Sequence, residues 1–202
     1  MYLSRLLLDP ASRRVQADLW QPYELHRTVM GAFAGAARGP RVLYRADLYG
    51  ATPSLLVQSH GLPSWGFLPE DYVLSEGPVP GVAVRYYAPE LGRGQALAFR
   101  LRANPTRRHQ GKRRAWLTDE GQRAWLCRKG EQGGFAVVSV ACAMEGVAVL
   151  SKGPHRPPLR LSSLLYEGVL EVTDPELCVH TLASGVGSAK AFGFGLLSLA
   201  PR

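Results

Sequence analysis

The sequence predicts an α+β fold, and two observations carry the prediction. One order of elements (strand, helix, strand, strand, helix, strand) runs through residues 1–88 and runs again through 95–202. A linker-like stretch, Ala88–Gly94 (APELGRG), stands between the two passes. That order is the split βαβ pattern, so the expectation is two tandem ferredoxin-like (RRM-like) domains, 1–88 and 95–202.

In the first domain, residues 2–8 (YLSRLLL) read as an apolar strand that Asp9-Pro10 ends. A short helix is expected over 11–19. Pro22 suits the first position of a second helix, where its missing N–H does no harm. Leu25, Val29 and Phe33 recur at four-residue steps and mark a buried stripe, so this helix is expected to run to about Ala37, before Gly39-Pro40. Strand-like runs follow at Val42–Tyr49 and Ser54–Ser59. A short helix around 64–70 and a strand near 82–87 complete the pattern.

The second domain opens on a clean alternation. Leu97, Phe99 and Leu101 face one side, and Ala98, Arg100 and Arg102 the other. This is a strand with one core face and one basic face. Asn104–Arg114 reads as a basic loop. Thr118 caps a helix to about Lys129, with Ala124, Trp125 and Cys127 expected on its packed side. Strands are expected near 135–140, 146–150 and 159–172, the last two joined by a proline-rich basic tip, Ser151–Pro158. Asp174-Pro175 starts a helix to about Ala183, and a glycine-rich stretch leads into a final strand.

Composition narrows the function classes. Of 202 residues, 46% are apolar and 20% charged, which are globular values. No apolar run approaches the roughly 18 residues of a membrane-spanning helix, and MYLSRLLLDP has too short an apolar run for a signal peptide. Three cysteines (Cys127, Cys142, Cys178) without a CxxC spacing fit a reducing cytoplasm better than a disulfide framework. The net charge is +8, and Gly94–Gly130 holds ten Lys or Arg against Asp119 and Glu120, so this segment alone accounts for the whole excess. Such an excess is the electrostatic footprint of a polyanion, unless it is simply a solvated basic face.

Tyr23, His26 and Arg27 lie three and four residues apart on the helix after Pro22 and share one face. A histidine exchanges protons near neutral pH, a tyrosine hydrogen-bonds a reacting oxygen, and an arginine neutralises a phosphate. Metal-free cleavage of an RNA phosphodiester needs these capacities. The competing reading is an exposed helix with an ordinary histidine. His60 and His180 read as structural, whereas His109 and His155 lie near basic residues. Carboxylates are scattered without His-x-His or Asp-x-Asp, which argues against a two-metal nuclease, so neither metal nor cofactor is expected.

The stretch Gly185–Leu199 (GVGSAKAFGFGLLSL) sets four glycines around Lys190. Such a loop turns N–H groups toward an anion, or merely makes a turn before a strand. Ala189 and Ala191 flank Lys190 where a phosphate-binding nucleotide loop needs Gly and Ser or Thr. The stretch also precedes a strand rather than opening a helix, so the dinucleotide fingerprint fails. Lys190, Phe192, Gly193 and Phe194 partly match an RNA-recognition pattern, by chance or by convergent chemistry.

Four segments, MYLSRLLLDPASR, PYELHRT, FRLRANPT and YEGVLEVTDPE…GVGSAKAFGFGLLSLAP, occur in that order. Together they resemble the CRISPR-associated endoribonucleases of the CasE (Cse3) type, the pre-crRNA-processing subunits of Cascade. The resemblance implies two tandem ferredoxin-like domains and binding of the CRISPR repeat hairpin. It also implies one metal-independent cut at the 3′ base of the stem by 2′-hydroxyl attack, with the mature crRNA retained and other Cascade subunits as partners. By motif position the catalytic histidine falls on His26 and its supporting tyrosine on Tyr23. In the family it resembles, the helix can offer a basic or polar side chain a turn beyond the histidine, where this chain has Met30, Gly31 and Ala34. RNA contacts are expected from Arg27, Arg100, Arg102, Arg107, Arg108, Lys112, Arg113, Arg114, Lys152, Arg156, Arg160, Gly187, Ser188 and Lys190. The alternative is a non-catalytic RNA-binding protein using the same basic face, with a nucleotide-binding regulator as a third reading.

Overall fold

The computed structural model describes residues 1–35, 41–48, 50–75, 79–109, 112–116, 118–150 and 158–202; for Arg108, His109, Lys112 and Arg113 it describes the backbone alone. The chain divides into two compact units. One holds Met1–Ala88 with Ala191–Gly193, and the other holds Pro89–Lys190 with Phe194–Arg202. Three residues of the glycine-rich stretch thus group with the N-terminal unit.

The N-terminal unit contains β1 (Tyr2–Leu7), α1 (Arg13–Trp20), α2 (Pro22–Gly31), β2 (Val42–Asp47), β3 (Ser54–Ser59) and β4 (Val82–Tyr86). Its sheet runs β2-β3-β1-β4 with every neighbouring pair antiparallel. The first strand sits centrally beside the third, which is the ferredoxin-like order. Helix α1 starts where the Ser12 side chain accepts from the Val15 N–H, satisfying one orphan donor of the first turn. The expected stripe of α2 is buried: Leu25, Val29 and Phe33 pack with Leu6, Tyr44, Leu55 and Val57.

A polar knot fixes the two helices to the rest of this unit. Asp18 on α1 is 1% exposed and accepts hydrogen bonds from Thr28 Oγ1 on α2 (2.6 Å) and from the Tyr72 hydroxyl (2.8 Å). Arg14 Nε lies 3.1 Å from its other oxygen. A carboxylate can be buried this deeply only when donors replace its water.

Two helical expectations need correction here. Helix α2 ends at Gly31, short of Ala37, because its backbone tightens: Ala32, Phe33 and Ala34 donate to carbonyls three residues back. No helix forms over 64–70. Leu68 donates to Trp65 and Tyr72 to Pro69 as isolated turns, and Pro69 has no N–H with which to join them.

The C-terminal unit contains β5 (Ala96–Ala103), β6 (Thr106–His109), β7 (Lys112–Ala115), α3 (Asp119–Glu131), β8 (Phe135–Leu150), β9 (Leu159–Val172), α4 (Pro175–Ser184) and β10 (Leu197–Pro201). Its main sheet runs β10-β5-β9-β8, so the first strand again lies between the third and the fourth. Strand β5 alternates as expected, with Leu97, Phe99 and Leu101 in the core. Thr118 and Asp174 cap α3 and α4 by accepting from the N–H groups of Gly121 and Leu177.

Three further expectations give way. The basic loop at 104–114 is instead a two-stranded hairpin, β6 paired with β7. The strands at 135–140 and 146–150 are one sixteen-residue strand with register shifts at Val137/Ser139 and Met144/Gly146. Bulges of this kind let a strand bend without ending. On α3, Trp125 is buried as expected, but Ala124 and Cys127 are exposed; Gln122 and Leu126 take the packed side, spaced to share a face with Trp125.

Replacing Asp18 with alanine strands two buried hydroxyls. Asp18→Ala is expected to lower unfolding free energy by about 2–3 kcal/mol, and Asp18→Asn, which keeps an acceptor, by less, measured by urea titration.

Candidate active site and basic interface

Helix α2 positions His26 through its own stripe. With Leu25, Thr28 and Val29 facing the core, His26 falls at the edge of the buried face and is half-buried. Its ring stacks on Tyr44 of β2 (centroids 6.4 Å apart, planes at 22°) and packs at a tilt against Phe192 (6.2 Å, 57°). Its Nδ1 is buried without a hydrogen-bond partner among the described residues. Burial pushes the imidazole below its ordinary value of 6.5, because the cation would leave a second N–H out of water.

Tyr23, one turn earlier, is 58% exposed. Arg27 is also exposed and its guanidinium lies 3.2 Å from Glu24. Met30, Gly31 and Ala34, a turn beyond His26, bring no charge, and a Cβ added at Gly31 would meet the Phe67 ring at 2.9 Å, so that ring occupies the space where a side chain would start.

Tyr44 carries no site signal in the sequence, and Phe192 stands out there only through the partial RNA-recognition pattern. Tyr44 is 1% exposed, and its hydroxyl donates to the Ala191 carbonyl at 2.7 Å. Phe192 lies in a short 3-10 turn, Lys190–Phe192, rather than on a strand, and Phe194 is buried, so the partial RNA-recognition pattern does not form an aromatic strand surface. A signal for the burial of Tyr44 existed in the apolar run of β2, but nothing local links it to residue 191.

The basic residues of the C-terminal unit fall into distinct environments. Arg102 makes a bidentate pair with Glu145 (2.5 and 2.7 Å), and Arg100 Nε donates to Glu167 at 2.6 Å. The hairpin sets Arg107 opposite Arg114, Arg108 opposite Arg113, and His109 opposite Lys112. Arg107 and Arg114 are exposed, and the Arg107 guanidinium lies 4.6 Å over the Trp116 ring. Arg160 is exposed on β9. The side chains of Arg108, His109, Lys112 and Arg113, and the whole of Lys152, His155 and Arg156, lie outside the described residues.

The loop Gly185–Lys190 lines a cavity of about 650 Å³, together with Arg107, Trp125, Lys129 and Thr181. Gly187, Ser188 and Lys190 are all on its wall. Gly187 has φ +80°, and a Cβ there would lie 3.0 Å from the Trp125 indole. Ala189 holds φ +63°, the left-handed region that costs an alanine about 1 kcal/mol or more. Arg107, Lys129 and Lys190 make the lining of this cavity cationic. Among the described residues, no group of three or more His, Cys, Asp or Glu is arranged to hold a metal ion.

A family model described as CRISPR associated protein matches residues 1–201. The chain belongs to the CRISPR-associated protein family, within its CasE (Cse3) type. It is 38% identical, over the full length of both chains, to the CRISPR-associated endoribonuclease Cse3 of Thermus thermophilus. It is 28% identical, again over both full lengths, to the CRISPR system Cascade subunit CasE of Escherichia coli. A solved structure of CRISPR endoribonuclease Cse3 bound to 19 nt RNA matches it with a TM-score of 0.88 at 38% identity, covering all of both chains. The two ferredoxin-like domains are therefore those of the CasE (Cse3) type.

In this CRISPR-associated protein the glycine-rich loop has a structural requirement of its own. Gly187→Ala is expected to cost about 1–2 kcal/mol, from the left-handed backbone and the close Trp125 ring, read as a lower melting temperature by calorimetry.

Proposed function

We propose that this chain is an endoribonuclease that binds the CRISPR repeat hairpin and cuts precursor crRNA at the 3′ base of the stem. The observation that carries the reading is His26: a titrating side chain held in an aromatic pocket, on the PYELHRT helix of a chain matched end to end by a relative named an endoribonuclease. The 2′-oxygen attacks phosphorus, the bond to the 5′-oxygen breaks, and a cyclic phosphate and a free 5′-hydroxyl result. One proton leaves the 2′-hydroxyl and one reaches the 5′-oxygen, so no metal is needed for the balance. Burial keeps His26 neutral over more of the pH range, which suits the base that takes the 2′ proton. With Nδ1 buried, Nε2 is the nitrogen that meets the substrate. Tyr23, exposed a turn away, orients the 2′-hydroxyl or the phosphate.

The hairpin and the cavity supply the binding reading. Like charges set opposite one another across β6 and β7 repel, and a polyanion relieves that repulsion. Arg107, Arg114, Arg160 and the Gly187–Lys190 loop contact RNA phosphates in this reading, and Arg108, Lys112, Arg113, Lys152 and Arg156 remain contacts expected from the sequence. Arg100, Arg102 and Arg27 reach RNA only by exchanging a carboxylate for a phosphate. The mature crRNA stays bound, and the chain works with other Cascade subunits, as its Escherichia coli relative is named. No helix among the described residues is long and apolar enough to cross a membrane, and the uncrosslinked cysteines suit the cytoplasm.

His26→Ala is expected to slow single-turnover cleavage of a repeat hairpin by about 10²–10⁴-fold while leaving binding intact. Wild type should cut in EDTA and fail on RNA with a 2′-deoxy nucleotide before the cut. Binding without any discrete product in EDTA would instead favour the non-catalytic RNA-binding protein.

Arg114→Ala should weaken binding of all hairpins alike and reduce the slope of log K against log salt by roughly one, measured by filter binding across a salt series.

A further inference from the structure

We propose that Tyr44 and Phe192 are positioning residues for the reaction, forming an aromatic clamp that holds the His26 imidazole in one orientation and keeps water from one side of it. This rests on the reading of His26 as the proton-transfer residue.

The geometry comes from three separate parts of the chain. Tyr44, on β2, lies nearly parallel to the imidazole, and Phe192 packs against it at 57°. Two aromatic rings at different angles define an imidazole's plane better than either alone. The clamp is itself anchored, because the buried Tyr44 hydroxyl donates to the carbonyl of Ala191, the residue before Phe192. Gly193 follows at φ +82°, where a Cβ would sit 3.3 Å from the Tyr44 ring. Glycine at 193 suits both the left-handed backbone and this close approach to Tyr44.

The electrostatics around His26 are correspondingly quiet. Strand β2 brings the Tyr44 phenol, which burial holds uncharged well above neutrality, and its Arg45 and Asp47 pair with each other at 2.8 Å, while Lys190 opens the turn that carries Phe192. Ala191–Gly193 brings none. On its own helix Glu24 and Arg27 are paired with each other, and Tyr23 is exposed. Apolar enclosure is thus what sets the basicity of His26 here, and Phe192 is the half of the enclosure that can be removed without opening the sheet.

Phe192→Ala and Phe192→Leu test the clamp. By NMR, the His26 ring protons of the free protein should titrate at higher pH in Phe192→Ala than in wild type, and Phe192→Leu should return most of the way. Subsaturating single-turnover cleavage of a repeat hairpin should fall about tenfold in Phe192→Ala, with its pH limb moved to higher pH and Kd for the hairpin within twofold. Tyr44→Phe, which keeps the ring and removes the anchor, should shift the titration in the same direction by less. An unchanged His26 titration in Phe192→Ala overturns the clamp, even if His26→Ala is inactive. Full cleavage by His26→Ala overturns the reading beneath it, whatever the NMR shows.

Discussion

The hydrogen bond from the Tyr44 hydroxyl to the Ala191 carbonyl joins points 147 residues apart, and the candidate site depends on it. A tyrosine 1% exposed must find an acceptor for its hydroxyl, since leaving it unpaired costs about 1–3 kcal/mol. Here that acceptor is a backbone carbonyl of the glycine-rich stretch. Once that carbonyl is fixed, Phe192 is fixed beside it, and His26 is enclosed from two directions. The position of His26 in turn follows from α2, whose orientation is held by the apolar stripe and by the Asp18, Thr28 and Tyr72 knot.

The glycine-rich stretch accordingly has two distinct parts. Gly185–Lys190 lines a cationic cavity in the C-terminal unit, and Ala191–Gly193 packs in the N-terminal unit. Residues that look like one loop in sequence thus divide between a cavity wall and an aromatic enclosure. Glycine meets both needs, through left-handed backbone at Gly187 and close ring approach at Gly193.

The elements that could be read from sequence were those with a local physical cause. Strand β5 announced itself by period-two alternation, and α2, α3 and α4 by proline or capping residues at their starts. What escaped had causes elsewhere. The hairpin β6–β7 is built from Arg, Lys and His, which carry no hydrophobic alternation to betray a strand. The stretch between the expected strands at 135–140 and 146–150 stays paired with β9, and the register shift between Met144 and Gly146 carries the strand on. The α2 helix stops at Gly31 although its stripe continues to Phe33, because apolar spacing reports which side is buried and not which carbonyl accepts. Tyr23, His26 and Arg27 stood out by spacing within one helix. Tyr44 and Phe192 could not, since a contact over nearly 150 positions leaves no local trace.

Charge counting along the chain also needs the structure to become a surface. The local excess of +8 in Gly94–Gly130 includes Arg100 and Arg102, whose guanidinium groups are engaged by Glu167 and Glu145 from β9 and β8. Both acids lie outside the segment in sequence and meet it only through sheet pairing. The field that remains is concentrated where register sets like charge against like, on the hairpin. Such an arrangement is unfavourable on its own, by several tenths of a kcal/mol for each opposed pair, and a compact core does not require it. It persists at no net cost if a dense line of negative charge binds there, since each phosphate then meets cations from both strands. Attraction of this kind decays over a Debye length of about 8 Å at physiological salt. The field of the hairpin therefore acts on an anion already in contact with it far more than on one at a distance.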